Sequence, residues 1–79
     1  MITKISRGFV EAQVGNKTVT ILGEGLLRME GQLDYVIYKD SIECWDGPAK
    51  EPIDSVTREA ILADVLVEMQ ERGMTVEVE

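Results

Sequence analysis

The sequence has 79 residues and no histidine. That removes the side chain most used as a general base near neutral pH, and the commonest transition-metal ligand. A single cysteine, Cys44, cannot form an internal disulfide, and without histidine it has no evident partner to generate a thiolate. Prolines number two, Pro48 and Pro52, and aromatic residues four, so the core must be built from Val, Ile, Leu and Met. No apolar run approaches the roughly 20 residues of a membrane-spanning helix. At the N-terminus Lys4 and Arg7 break up Ile2 and Ile5, which leaves no apolar stretch of the secretory-signal kind. These absences predict a cytoplasmic protein that is not an enzyme and needs neither cofactor nor metal.

What is abundant is acid, and it is unevenly placed. Residues 1–39 carry five Lys/Arg against four Asp/Glu, a balance of +1. Residues 40–79 carry three Lys/Arg against eleven Asp/Glu, a balance of −8, which recovers the formal net charge of −7. Such a surface repels phosphates and acidic lipid head groups and attracts basic ones, which excludes nucleic acid and membrane as partners and favours a basic protein. With 44% hydrophobic residues the chain is too apolar for a disordered one, and its length suits one small domain.

Residues 1–45 read as a β-meander. Val10, Ala12 and Val14 alternate with Phe9, Glu11 and Gln13 up to a turn at Gly15-Asn16-Lys17. The Thr18–Leu22 run puts Val19 and Ile21 on one face. Gly23-Glu24-Gly25 suggests a bulge or tight corner, after which the strand pattern resumes over Leu26–Glu30. Tyr35–Tyr38 is the most β-prone stretch, with its two tyrosines on opposite faces, and Lys39-Asp40-Ser41 reads as a turn into a last strand, Ile42–Trp45. Residues 46–53 form a Pro/Gly linker. A helix follows over 54–73, with Asp54 as N-cap and Gly73 at C′, where Met74 packs back on Met69. Alternation over 74–79 marks a closing strand. The expected fold is α+β: an antiparallel meander of about five to six short strands, one C-terminal helix packed on it, and the closing strand.

Within the helix, Leu62, Val65, Leu66 and Met69 fall inside an arc of about 100° and make the core face. Asp64, Glu68 and Glu71 form an acidic ridge on the other side, either a solvated face or the docking surface for a basic partner. Val56, Ala60, Ala63 and Val67 form a second apolar line, either the edge of the core or a homodimer seam or partner patch. Trp45 is a core residue or, beside Glu43 and Asp46, a binding anchor. Cys44 reads as a small buried hydrophobe. Glu24 is a turn residue or a carboxylate presented to a partner. Asp40, Glu43 and Asp46 match no calcium-loop spacing, and Gly23-Glu24-Gly25 lacks the third glycine and the following helix of a phosphate cradle.

Several of these residues together give a resemblance. They are Gly23-Glu24, Tyr35-Val36-Ile37-Tyr38, Asp40-Ser41-Ile42 with Trp45 behind, Pro52-Ile53-Asp54, Ile61-Leu62, Gly73 and Val76-Glu77-Val78. In this layout the chain resembles the immunity protein 74 family, small proteins associated with bacterial polymorphic-toxin systems. The resemblance implies neutralisation of a cognate toxin by direct binding, and no catalytic residues. It carries over no binding residues. The alternative is a small cytoplasmic structural or interaction domain, homodimeric or not, with no toxin partner.

Overall fold

The computed structural model describes residues 1–26 and 34–79. Its elements are β1 (Ile2–Ile5), β2 (Phe9–Val14), β3 (Lys17–Gly25), β4 (Tyr35–Ile37), a 3-10 turn at Lys39–Ser41, α1 (Ser55–Glu71) and β5 (Val76–Val78). The five strands make one sheet in chain order. The first three pairings are antiparallel and β5 lies parallel to β4. The architecture is α+β, as the sequence predicts.

Local chemistry accounts for the hairpin. Val14 pairs with Lys17, and Gly15 at φ +63° supplies the first central residue of the two-residue turn, a conformation that other residues resist. From there alternation places Val10, Ala12, Val19 and Ile21 on the inner face, all buried. Tyr35, Ile37 and Ile42 join them, and the helix closes the core with Ile61, Leu62, Val65 and Met69. Each fully buried aliphatic side chain contributes about 1.5–3 kcal/mol of transfer free energy.

Three details differ from the sequence reading. Gly23-Glu24-Gly25 is no tight corner: it lies within the nine residues of β3, though the bonds Gly23 N–Gly8 O and Gly25 N–Arg7 O shift by one residue there, as a bulge would. The phenol ring of Tyr35 and the Val36 carbonyl occupy the space that a side chain at Gly23 would fill, so Gly23 serves close packing rather than a bend. The expected strand Ile42–Trp45 is absent. The expected turn at Lys39–Ser41 is present as a 3-10 turn, in which Ser41 Oγ donates to Tyr38 O (2.6 Å) and accepts from Leu22 N (2.9 Å). Beyond it only Cys44 makes a ladder contact, with Pro52. The helix face is rotated slightly, with Ile61 buried and Leu66 only partly so. The strand expected over Leu26–Glu30 falls largely outside the described residues.

The expected helix ends are both present. Asp54 accepts from Thr57 N at 2.7 Å, satisfying one of the free donors of the first turn. At the other end Met74 N donates to Met69 O (3.0 Å) and Gly73 N to Gln70 O (2.9 Å), with Gly73 at φ +81°, the Schellman arrangement. This turn delivers the chain to the start of β4. There Asp34 N donates to Thr75 O (2.8 Å) and the Asp34 carboxylate accepts from Thr75 N (2.8 Å). A chain returning to the start of β4 must run beside it in the same direction. The helix is thus the crossover that a parallel pair requires.

Candidate protein-binding surface

The helix covers one face of the sheet and leaves the other outward. On the outer face Phe9 pairs with Leu22, and the β3–β4 register sets Tyr38 beside Leu22, with Tyr38 N donating to Leu22 O (3.0 Å). The parallel register continues this row to Glu79. In the next row Glu24, Val36 and Glu77 stand side by side across β3, β4 and β5. Leu22 is 53% exposed and Tyr38 39%. Val36 is buried, yet it does not belong to the inner core cluster.

The electrostatics of this face centre on Tyr38. Its hydroxyl donates to Glu24 Oε2 at 3.3 Å. Partial desolvation pushes the Tyr38 phenol above its ordinary pKa, helped by the charge of Glu24, by that hydrogen bond and by the charge of Glu79. Arg7, Gly8, Gly23, Glu24, Gly25 and Tyr38 line an open cleft of about 440 Å³ at its edge. Among the described residues the ion pairs are Met1 N-terminus–Glu68 (3.7 Å) and Lys17–Glu51 (3.3 Å), so Glu24, Glu77 and Glu79 stand outside them.

The residues singled out in the sequence fall on two sides of the molecule. Glu24 lies on the outer sheet face. Asp46 reaches the same face, accepting from Thr20 Oγ1 at 2.7 Å, while its N–H donates to Thr18 O (2.9 Å). Glu43 is exposed on the segment that folds back through Trp45 N to Glu51 O (2.8 Å) and Ile53 N to Glu43 O (2.9 Å). Trp45 is half-buried and packs on the core cluster, with Lys17 Nζ 5.6 Å from its ring centroid. Because this segment is no strand, alternation does not turn Trp45 away from the core.

On the helix side Asp64 and Glu71 are exposed, but Glu68 accepts from Ile2 N at 2.9 Å and lies beside the N-terminal amine. Glu68 therefore ties β1 to the helix. Val56 (78%) and Val67 (54%) are exposed with Ala60 and Ala63 between them, so this line lies outside the described core. Sequence reasoning passed over Phe9, Leu22 and Tyr38. The signal was present in Leu22, an apolar residue on the phase of β3 that otherwise carries Thr18, Thr20 and Glu24.

The family model described as Immunity protein 74 matches residues 2–79. The chain belongs to the immunity protein 74 family. No curated protein and no solved structure matches it. Among the described residues no group of three or more Cys, Asp or Glu is placed to hold a metal ion, and no helix is long and apolar enough to cross a membrane.

Proposed function

We propose that this protein neutralises a cognate toxin of a bacterial polymorphic-toxin system by binding it directly in the cytoplasm, without catalysis. The observation that carries this reading is the family match over residues 2–79. The charge supports it: a protein of net charge −7 is drawn to a basic toxin domain, and steering of this kind raises association rates and disfavours wrong partners. The experiment recovers the partner by pull-down with this protein from its native cell and mass spectrometry, then co-expresses the recovered toxin domain with it. Growth arrest by that domain alone, relief on co-expression, and a purified one-to-one complex support neutralisation. Persistent arrest, with no complex at micromolar concentrations, overturns it.

The exposure of Val56 and Val67 favours a second reading, self-association through the helix line Val56/Ala60/Ala63/Val67. Sedimentation at micromolar concentration would then show a dimer, and Ala63→Glu would dissolve it without unfolding the chain. A monomer throughout removes this reading and leaves the first intact.

A further inference from the structure

We infer that the toxin docks on the outer face of the sheet, against the row Phe9–Leu22–Tyr38, and that it presents there a basic side chain flanked by apolar ones. This inference rests on the neutralisation reading and adds to it the surface and the chemistry of the partner.

The register is the first support. Phe9, Leu22 and Tyr38 stand side by side on three consecutive strands, an apolar row that spans about 10 Å at the ordinary strand spacing. Leu22 and Tyr38 are 53% and 39% exposed on a face that the helix does not cover. Tyrosine in such a position supplies a large, stiff contact surface with a polar tip, the composition enriched at the centres of protein interfaces.

Charge decides the occupant. Glu24, Glu77 and Glu79 frame the row at its β3–β5 end, and none takes part in an ion pair among the described residues. On the same side of the molecule, Lys4 Nζ sits 5.6 Å from the Phe9 ring centroid, and Arg7 lines the same cleft as Glu24 and Tyr38 without reaching Glu24 at ion-pair distance. Nucleic acid and acidic lipid would meet repulsion from the three carboxylates, and a second copy docked on this face is an outcome the test separates, as a dimer of the protein alone that Tyr38→Ala dissolves. A cationic side chain entering between Glu24 and Glu77 meets Val36 beneath it and the Tyr38 ring beside it. Its aliphatic stem finds apolar contact there while its charge is shared by the carboxylates. The helix line offers only small side chains and no aromatic one.

The test measures association and dissociation rates between this protein and the toxin domain that the neutralisation experiment recovers, across a salt series. Tyr38→Ala and, separately, Leu22→Thr are expected to weaken binding by about thirtyfold and tenfold, mainly through faster dissociation. Glu24→Gln with Glu77→Gln is expected to slow association several-fold at low salt, an effect that disappears near 1 M. Asp64→Asn with Glu71→Gln, on the opposite side, is expected to stay within twofold. Circular dichroism establishes that each variant is folded. If Tyr38→Ala fails to fold, Leu22→Thr at the more exposed position carries the test. Binding within twofold for the folded sheet variants overturns the docking surface and leaves neutralisation standing. Absence of binding by the unaltered protein overturns both.

Discussion

Gly23→Ala tests the arrangement of β3 and β4 at its tightest point. A Cβ on Gly23 would overlap Val36 O and come within 2.6 Å of Tyr35 Cε1. The first obstacle is backbone and cannot swing aside. The second is a ring buried in the core, whose hydroxyl donates to Ser6 O at 2.9 Å. Relief requires β3 and β4 to separate. Overpacking of this kind costs about 1–3 kcal/mol, and each weakened ladder hydrogen bond adds about 1 kcal/mol. A net loss of about 3 kcal/mol is expected, a large part of the roughly 4–12 kcal/mol that a chain of this length holds. With a urea dependence near 1 kcal/mol/M, the unfolding midpoint should fall by about 3 M. Fluorescence of the half-buried Trp45 reports the transition. Two other glycines calibrate the result. At Gly25 the nearest atoms to a new Cβ lie at 3.4 and 3.5 Å, so Gly25→Ala should have a small effect. At Gly8 nothing lies within 4 Å and φ is not positive, so Gly8→Ala should be neutral or gain about 0.4–1 kcal/mol. A Gly23→Ala variant as stable as the parent, or a Gly8→Ala variant less stable than it, refutes the account of the glycines.

Val65→Asp should unfold the domain, since it buries an unpaired charge between helix and sheet, while Leu66→Asp should be milder and Asp64→Ala nearly silent in a melting curve. Met69→Ala should lower stability by about 2–5 kcal/mol in urea unfolding, the range for emptying a fully buried position. The hydrogen bonds from the Thr57 side chain and backbone hold the Asp54 carboxyl below its ordinary pKa. Its contribution to stability is therefore fully present above the pKa of the unfolded chain, about 4, and is lost as pH falls through the depressed folded value. Urea midpoints for the parent and Asp54→Asn should converge as pH is lowered through that window. Glu24→Gln should bring the Tyr38 phenol back toward its ordinary titration, read by ultraviolet absorbance at alkaline pH, because it removes a charge that opposes ionisation.

Period and punctuation in the sequence were enough for the α+β class, the β2–β3 hairpin, both helix caps and the identity of most core residues. These features depend on residues close in the chain: a glycine where φ must be positive, a carboxylate three residues before a free amide, alternation along a strand. The resemblance to the immunity protein family was legible in the same way, from short local patterns. Other features needed tertiary structure. Gly23 looks like part of a corner until the Tyr35 ring is seen over it, because nothing local distinguishes a glycine that bends from one that makes room. Glu68 belongs to an acidic ridge by helical spacing, yet Ile2, 66 residues away, donates a hydrogen bond to it. Trp45 packs on the core because its segment folds back on residues 51–53, through Trp45 N–Glu51 O and Ile53 N–Glu43 O, rather than joining the sheet as a strand. The direction of β5 depends on where the helix ends relative to β4, which no periodicity encodes. The row Phe9–Leu22–Tyr38 exists only through strand register, a property of pairs of segments rather than of any one of them.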